Sequence, residues 1–398
     1  MGRGTAIIIG GGVTGLSAAY HLARRRYGRV VVLEKGPVGD GSSSRAAGII
    51  TGLLWSETGV RARQVSLRLF HELSAELDGY TFHAAGCLNL FDPDSWPERA
   101  ALLPLYDRCG APYEVLDARE MRARWPALRP RDEQIGLYDP RGGYSEPDEY
   151  LPALARRCRE LGVEIREGQP VGEIVVRGGR AAGVRTPDGL LEGDAVVSTV
   201  YAWTNLLLGR LGLRLPVKAF VHQRYVTAPL PAPLAVPAVN ANPLGGYLRP
   251  AAGGRLLLGV ETADRAEHRV AEPGFRLAEL AAPAGLRERL RDTFAPYVPA
   301  LSAVAWEHER VGLITFAMDG EPILGAVGAL PGLYVGLAFH SGGFAYNPVA
   351  GLLLAELVAD GRASLDIAAF SPDRFDPAET EAYLAATVAQ RDVVRRRH

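Results

Sequence analysis

A glycine-rich turn close to the start of the chain constrains the fold more than any other feature. The turn has the pattern Gly-x-Gly-x-x-Gly, and its glycines are Gly10, Gly12 and Gly15. Before it, Thr5–Ile9 is a short β-branched run that predicts a buried strand, and after it the apolar residues of 16–26 recur at helical spacing. A second buried strand is predicted at Arg29–Leu33. A strand–helix–strand unit of about 30 residues is the span of one parallel crossover, which predicts a Rossmann-type α/β fold.

The three glycines also predict a dinucleotide site. The first allows the tight turn, the second lets the backbone approach a pyrophosphate, and the third lets the helix pack closely on the strand. Glu34 ends the second strand, 24 positions after Gly10, where its carboxylate can accept hydrogen bonds from ribose hydroxyls and would repel the 2′-phosphate of NADP. The pattern alone does not choose between NAD and FAD. The predicted contacts in this unit are Gly10, Gly12, Val13, Thr14, Gly15, Glu34 and Lys35.

The composition excludes several other classes of protein. With 44 basic and 45 acidic side chains among 398 residues, the net charge is -1, which gives no long-range attraction to nucleic acid or to anionic membranes. A hydrophobic share of 47% is too high for a disordered chain. Cys87, Cys109 and Cys158 have no metal-type spacing, so neither a metal site nor a disulfide framework is expected. No apolar run reaches the ~18 residues of a membrane helix and no signal peptide is evident, so we expect a cytoplasmic protein without a membrane span.

Four stretches along the chain carry a resemblance to a known family. They are 7–36, Gly-Ser-Ser-Ser-Arg-Ala-Ala-Gly at 41–48, Asp-Ala-Val-Val-Ser-Thr-Val-Tyr-Ala-Trp at 194–203, and Gly-Glu-Pro-Ile-Leu-Gly at 320–325 with the glycine-rich 332–348. Together they resemble the D-amino-acid oxidase-like (DAO) family of FAD-dependent amine oxidoreductases, which includes glycine oxidase, sarcosine oxidases and dye-linked proline dehydrogenases. The resemblance covers 6–358, nearly the whole chain, and implies FAD as the cofactor. It is specific to the family and not to a substrate.

The resemblance implies further contacts with FAD. In the family the 41–48 stretch lines the pyrophosphate and the flavin, and Val171 stands where the backbone meets adenine, with a plain strand residue as the alternative. Asn347 is expected to cap a helix that Pro348 opens, with the positive N-terminus of that helix aimed at the flavin. The contacts implied in these stretches are Ser42, Ser43, Ser44, Arg45, Ala46, Val171, Gly342, Gly343 and Phe344.

Three residues are candidates for contacts with the substrate. Tyr247 and Arg249 are two apart on a predicted strand and therefore share a face. By the resemblance Tyr247 matches an active-site tyrosine of glycine oxidase, and Arg249 could pair with a carboxylate or be a surface arginine. His340 lies in the glycine-rich loop, where it could be a base, a substrate contact or a loop histidine with partners of its own. His222, next to Gln223, receives no role.

At five positions the chain departs from the family pattern, one of which is Tyr201 in place of a glycine in the 194–203 stretch. Gly312 stands where sarcosine oxidases have a flavin-linking cysteine, so non-covalent FAD is expected. Ile314 stands where glycine oxidase has an arginine that binds the substrate carboxylate. Leu257 and Ala345 stand where sarcosine oxidase has two lysines, one of which activates oxygen, and the chain has only two lysines in all. These departures leave the substrate and the electron acceptor open.

The resemblance also implies two lobes that are interleaved along the chain. The FAD-binding lobe is predicted from 1–79, 145–214 and 320–370, the mostly antiparallel substrate lobe from 80–144 and 215–319, and a C-terminal helical tail from 371–398. The implied reaction is oxidation of a C–N bond in a small amino acid or secondary amine, by hydride transfer to flavin N5, giving an imine. The electron acceptor would be O2, a quinone or a partner subunit. The absence of lysines at positions 257 and 345 favours a quinone or a partner subunit over O2. A flavin-binding protein without turnover and an NAD-dependent dehydrogenase stay as alternatives, and an oligomer is possible.

Overall fold

The computed structural model describes residues 4–260 and 267–389, and its strands form two large sheets and two small ones. The strands are β1 Thr5–Ile9, β2 Arg29–Leu33, β3 Ile49–Ile50, β4 Phe82–His83, β5 Cys87–Phe91, β6 Glu114–Leu116, β7 Ile135–Asp139, β8 Gly143–Ser145, β9 Glu164–Arg166, β10 Glu173–Arg177, β11 Arg180–Thr186, β12 Gly189–Glu192, β13 Ala195–Ser198, β14 Val217–Thr227, β15 Ala238–Ala241, β16 Gly246–Ala251, β17 Arg255–Val260, β18 Trp306–Ala317, β19 Ile323–Ala326 and β20 Leu333–Leu337. The α-helices are α1 Val13–Arg24, α2 Glu57–Glu76, α3 Trp96–Ala100, α4 Leu103–Cys109, α5 Ala118–Arg124, α6 Pro147–Glu160, α7 Thr204–Leu208, α8 Leu286–Phe294, α9 Gly343–Asp360 and α10 Pro377–Ala385.

The first large sheet has six strands in the order β19-β20-β13-β1-β2-β9. Its strands are parallel except at the β19–β20 edge. β1 lies between β13 and β2, where Ile7 pairs with Val196 on one side and with Val31 on the other. All three of these side chains are buried, as expected for a parallel sheet covered on both faces. The predicted strand–helix–strand unit is confirmed, with both strands at their predicted bounds.

The second large sheet has eight strands in the order β18-β14-β17-β16-β15-β5-β7-β6. It is antiparallel except where β15 pairs with β5. The predicted fold class is confirmed, because a Rossmann-type sheet is interleaved along the chain with a mostly antiparallel one. The residue limits of the lobes stay a prediction, and 390–398 of the predicted tail lie outside the described residues.

Glycines bring two helices into close contact beside the six-stranded sheet. A Cβ on Gly15 would overlap the carbonyl oxygen of Gly10, and one on Gly351 of α9 would overlap Ser17 of α1. Gly10 itself has φ +107°, a conformation that favours glycine. The N-terminal residues of both helices, Val13 of α1 and Gly343 of α9, therefore lie close to the edge of the sheet and line the same cavity.

Helix α9 begins earlier than the sequence predicts. It starts at Gly343, so the expectation that Asn347 caps a helix opened by Pro348 is wrong. Pro348 lies inside the helix and lacks the N–H that would bond the Phe344 carbonyl. The Asn347 side chain supplies the missing donor, with Nδ2 2.6 Å from the Phe344 carbonyl oxygen, while its Oδ1 accepts from the Tyr150 hydroxyl at 2.8 Å. The helix can therefore continue through a proline.

The helical segment His340–Asp360 is long and apolar enough, by length and composition alone, to cross a membrane. The sequence analysis predicted no such run. In the structure 72% of the 18-residue apolar stretch in this segment is buried inside the fold, where α9 contacts α1 and α2. Burial in the core accounts for its apolar character.

Candidate active site

A cavity of about 660 Å³ lies between the two large sheets. Gly10 and Glu34 line one end, next to the six-stranded sheet, and Tyr247 and Ile314 of the eight-stranded sheet line the other. We call these the nucleotide end and the ring end. The cavity therefore joins the glycine-rich turn to Tyr247 and His340, two of the three residues that the sequence analysis proposed for the substrate.

The nucleotide end is built from the glycine-rich turn and the start of α1. Gly10, Gly12, Val13 and Thr14 line it, whereas Gly15 lies behind the wall and serves the packing of helix on strand. Gly12, the residue before α1, provides no side-chain cap, and among the described residues the one side-chain acceptor in the first turn is Ser43 Oγ at the Val13 N–H, so the positive end of α1 faces the cavity. This arrangement suits a pyrophosphate.

Glu34 lines the cavity and also braces the turn. Its Oε2 accepts a hydrogen bond from the Gly11 N–H at 2.8 Å, and its Oε1 accepts one from the Gly36 N–H at 2.9 Å. Burial raises the pKa of Glu34 above its ordinary value in spite of these bonds. Glu34 is at the place where the sequence predicts a ribose contact.

The Ser42–Arg45 turn closes the next part of the wall. Ser42, Ser43 and Arg45 line the cavity together with Ala46, and Ser43 Oγ accepts from the Val13 N–H at 3.0 Å. Arg45 is held inside the turn, where it donates to the Gly41 carbonyl at 2.9 Å. Ser44 does not line the cavity, and its carbonyl accepts from Arg224 at 3.1 Å and from Arg310 at 2.8 Å.

Lys35 lies at the mouth of the nucleotide end. Its Nζ is 3.9 Å from the centre of the Trp203 ring and donates to the carbonyls of Pro273 and Phe275 at 3.0 and 2.7 Å. These carbonyls belong to the 273–277 segment, which comes from between the strands of the eight-stranded sheet and lines the cavity. Lys35 therefore holds a neighbouring segment over the cavity. Val171 lines this end as well.

The ring end is closed by the start of α9. Gly342, Gly343 and Phe344 line the cavity there, beside the turn that contains His340. His340 has φ +46°, a left-handed conformation that costs a non-glycine residue about 1–3 kcal/mol. Its Nδ1 accepts from the Gly342 N–H at 3.3 Å. The histidine is thus in a strained turn facing the cavity.

A histidine–tyrosine pair forms the opposite wall of the ring end. The Tyr247 hydroxyl and His222 Nε2 are 2.8 Å apart, and either atom can donate the shared hydrogen. Tyr247 is on β16 and His222 on β14, with β17 between them. A Cβ on Gly259 of β17 would overlap the Tyr247 ring, so this glycine lets the ring reach across the sheet. The sequence analysis missed His222, because strand alternation does not reveal which strands are neighbours.

Arg249 does not lie where a substrate carboxylate could reach it. Its side chain is fully buried outside the cavity, and it forms a bidentate ion pair with Glu146, with N–O distances of 2.7 and 2.8 Å. Burial alone would raise the pKa of Glu146, but the hydrogen bonds and charge of Arg249 lower it below its ordinary value. The structure thus gives Arg249 a partner within the protein and places it apart from Tyr247.

Some of the residues that depart from the family pattern line the cavity, and others are buried in the core. Gly312 and Ile314 line the cavity, while Leu257 and Ala345 are buried behind it. None of the three cysteines, all within the described part of the chain, lines the cavity. In residues 4–260 and 267–389 no group of three or more His, Cys, Asp or Glu side chains could hold a metal ion.

Fold and site together define a dinucleotide-binding α/β protein of the Rossmann type. Comparison with protein families gives a match to FAD dependent oxidoreductase (DAO) over residues 5–357. The chain therefore belongs to the DAO family of FAD-dependent oxidoreductases, and the resemblance seen in the sequence is confirmed.

Individual relatives share about a quarter of the sequence. 4-Methylaminobutanoate oxidase (formaldehyde-forming) of Paenarthrobacter nicotinovorans is 27% identical over 374 residues, which are 93% of this chain and 45% of that protein. Sarcosine oxidase subunit beta of an Arthrobacter species is 28% identical over 381 residues, 93% of this chain and 90% of that protein. The chain thus spans less than half of the first relative's length. The crystal structure of L-proline dehydrogenase from P. horikoshii superposes with a TM-score of 0.85 at 25% identity, covering 94% of this chain and 98% of that one.

The residues present fit FAD. A Cβ on Gly12 would lie 3.0 Å from Ser43 Oγ, so its absence leaves a path for phosphates between the turn and the Ser42–Arg45 wall. The cavity volume of about 660 Å³ is within the range of ligand sites. The nucleotide end offers Glu34 for a ribose, and the ring end is closed by backbone and apolar side chains such as Phe344.

Proposed function

We propose that this chain oxidises a C–N bond of a small amino acid or secondary amine by hydride transfer to flavin N5, giving an imine. The observation that carries the proposal is the continuity of the cavity, which joins a dinucleotide end to a ring end containing the His222–Tyr247 pair. Bound FAD would supply the hydride acceptor. The family assignment disfavours the NAD-dependent alternative.

The residues of the ring end suit hydride transfer from a neutral amine. The Tyr247 hydroxyl and His222 Nε2 share a hydrogen, so the pair can accept a hydrogen bond from the amine or take up its proton. Ile314 and Phe344 add apolar surface that excludes water and orients the substrate carbon. Little further acid–base machinery is needed, because the imine can hydrolyse in solution.

An anaerobic screen of amino acids and N-methyl amines tests this proposal. A substrate should bleach the flavin band near ~450 nm in the absence of oxygen. Tyr247→Phe should slow bleaching by that substrate by about 10²–10⁴-fold, as expected when a proton-handling group is lost. A holoprotein that no amine bleaches would support the alternative of a flavin-binding protein without turnover and would contradict the proposal.

The proposed FAD is bound without a covalent link. Gly312 lines the cavity in place of the expected cysteine, and Cys87, the buried cysteine of β5, lies outside it. Precipitation with acid should release all the yellow cofactor into the supernatant. Flavin that stays with the precipitate would contradict this part of the proposal.

A dehydrogenase that passes electrons to a quinone or a partner subunit is the second candidate. It is favoured by the positions of the two lysines, because Lys218 is buried in an ion pair with Glu267 at 2.8 Å and Lys35 holds the 273–277 segment. Neither is at the ring end. Slow reoxidation of the reduced protein by air would support this candidate, and fast reoxidation would support an oxidase. The cytoplasmic location and any oligomer stay predictions.

A further inference from the structure

Asn240 is a buried amide at the ring end that has no role in the proposed function. It lies on β15, directly opposite Tyr247 of β16, and lines the same cavity. Residues directly opposite each other on antiparallel strands share a face, with Cβ atoms about 4.5–5.5 Å apart. His222, the hydrogen-bond partner of Tyr247, is on the far side of the tyrosine. The side chains of His222, Tyr247 and Asn240 therefore form a polar row along the cavity face of the eight-stranded sheet.

Contacts behind the cavity wall fix the direction of the Asn240 amide. The Leu137 carbonyl can only accept, so the atom that Asn89 presents to it at 3.3 Å is the donor Nδ2. Asn89 therefore presents its Oδ1 to Asn240, whose Nδ2 donates to it at 2.9 Å and lies 3.7 Å from Cys87 Sγ. Asn89 and Cys87 are fully buried and do not line the cavity. Both hydrogens of the Asn240 amide are thus directed into the protein.

The polar atom that Asn240 has left for the cavity is an acceptor. Among the residues that the structure describes, none donates a hydrogen bond to its Oδ1, although the side chain is only 7% exposed. A buried polar atom without a partner is unfavourable, so a donor from a bound molecule is expected at this place. Because its Nδ2 is engaged elsewhere, Asn240 cannot donate to a carboxylate. It suits an N–H or O–H group.

A substrate amine carries the donors that the polar row accepts. The ammonium form of a primary or secondary amine has at least two N–H groups. One N–H loses its proton to the His222–Tyr247 pair, and another stays bonded to Asn240 Oδ1. When hydride leaves the neighbouring carbon with both electrons of the C–H bond, the nitrogen lone pair forms the C=N bond of an iminium cation. The N–H of that cation bonds Oδ1 more strongly than the N–H of the neutral amine, so the contact favours the reaction as well as binding.

We propose that Asn240 determines specificity for the substrate nitrogen and selects primary and secondary amines over tertiary amines. A tertiary amine has a single N–H when it is protonated and none after that proton has passed to the His222–Tyr247 pair. It therefore leaves Asn240 Oδ1 without a donor when the C–H bond breaks. This inference rests on the part of the proposed function that places an amine at the ring end, and it requires no particular amine and no particular electron acceptor.

Two isomeric amines test the inference by their rates. N-Ethylglycine and N,N-dimethylglycine have the same formula and charge, but only the first is a secondary amine. We expect the second-order rate constant of anaerobic flavin reduction in the wild-type holoprotein to be at least about tenfold higher with N-ethylglycine. Asn240→Leu keeps the volume of the side chain and removes the acceptor, so it should slow N-ethylglycine and bring the two isomers within about threefold of each other. Equal rates in the wild type, or the same ratio in both proteins, would overturn the inference.

Binding of two ligands that cannot react gives a readout without turnover. α-Aminoisobutyrate has no hydrogen on the carbon beside its nitrogen, and glycine betaine has a cationic nitrogen with neither an N–H nor a lone pair. We expect α-aminoisobutyrate to bind about 10- to 100-fold more weakly to Asn240→Leu than to the wild type, as measured by the change in flavin absorption. The affinity for glycine betaine should differ by less than about threefold. A wild type that does not bind α-aminoisobutyrate, or equal affinities for it in both proteins, would overturn the inference.

Asn205→Leu is the matched control. Asn205 of α7 donates to the Leu215 carbonyl at 2.8 Å and accepts from the Leu215 N–H at 2.9 Å, and it does not line the cavity. Loss of this amide should lower stability and leave the isomer ratio and the ligand affinities unchanged. Equal changes in Asn205→Leu and Asn240→Leu would overturn the inference.

The remaining outcomes separate this inference from the proposed function. If Asn240→Leu fails to fold, the isomer ratio and the α-aminoisobutyrate affinity of the wild type decide. A variant that holds FAD more weakly but binds α-aminoisobutyrate normally would mean that Oδ1 faces the cofactor, and would overturn the inference. A holoprotein that no amine bleaches, but that loses α-aminoisobutyrate affinity in Asn240→Leu, would contradict the proposed function and support the inference. Normal amine oxidation with equal rates for the two isomers would overturn the inference alone.

Discussion

Gly259 controls the position of Tyr247 although it makes no polar contact itself. A methyl group at this position would overlap the tyrosine ring and move its hydroxyl away from His222 Nε2. We expect Gly259→Ala to slow anaerobic flavin reduction by the amine about 10- to 100-fold, since small displacements of reacting groups have effects of this size. Gly209→Ala, at a helical residue with open space around it, is the control and should react at the wild-type rate. Wild-type kinetics in Gly259→Ala would show that the Tyr247 position is unimportant.

The Arg249–Glu146 ion pair belongs to the stability of the protein. Arg249→Met leaves Glu146 without its partner in a mostly buried place, so we expect a loss of about 3–5 kcal/mol in urea unfolding at pH 7. The pKa of Glu146 is depressed in the folded state, so the contribution of the pair is present above the ordinary pKa of 4.5 and is lost as the pH falls through the folded-state pKa. The difference between variant and wild type should therefore shrink below about pH 4.5. A difference that stays constant down to pH ~3 would contradict this account.

At this scale the sequence predicts residue types better than their surroundings. Tyr247 and Arg249 do share a face, but two residues along a strand are separated by about 7 Å, enough to take Arg249 out of the cavity. Its partner Glu146 is 103 positions away, so local pattern could not reveal the pair.

The 273–277 segment is the element that covers the nucleotide end. Lys35 fixes it through two carbonyls, and Arg276 forms an ion pair with Asp40 at 2.7 Å that is partly exposed and therefore weak. We expect Lys35→Met to increase the rate of FAD release at least about threefold, because two charge-assisted hydrogen bonds are lost. The rise of free-flavin fluorescence after dilution measures this rate. Arg68→Met, which removes an exposed cation of α2, should leave the rate unchanged, and an equal increase in both variants would contradict a specific role of Lys35.

Helix α9 depends on a side chain in place of a backbone donor. Asn347→Ala leaves the Phe344 carbonyl and the Tyr150 hydroxyl without this partner, so we expect a loss of about 1–3 kcal/mol in unfolding free energy. In the double variant Asn347→Ala/Pro348→Ala the new backbone N–H can bond the Phe344 carbonyl, and part of the stability should return. A double variant less stable than Asn347→Ala would contradict this account.

The bounds of elements with a strong local sequence pattern could be predicted. The bounds and contacts that depend on side chains from other segments could not. The strands beside the glycine-rich turn are buried β-branched runs, and their bounds were predicted correctly. The start of α9 was missed, because the proline rule applies to backbone donors and Asn347 replaces that donor. Ser44 was predicted to contact FAD together with its neighbours, but its carbonyl accepts from Arg224 and Arg310, which lie on distant strands that the local pattern does not reveal.

At the scale of the whole molecule, the cavity lies between two large sheets whose strands alternate along the chain. The sequence predicts both sheets and the family, since the glycine-rich turn and the four family-like stretches are local patterns. It could not predict that β14 and β16 face the start of α9 across one cavity, because the strand order of the eight-stranded sheet joins distant segments. The central claim is therefore geometric: FAD spans the cavity and brings its ring between α9 and the His222–Tyr247 pair.

A crystal structure of the protein loaded with FAD and a non-reacting carboxylated amine analogue tests this claim most directly. The account predicts the pyrophosphate at Gly10–x–Gly12 and the flavin ring between residues 342–344 and the His222–Tyr247 pair, with the analogue nitrogen within hydrogen-bond distance of Tyr247 or His222. A ring bound anywhere else, or an analogue bound away from this pair, would contradict it.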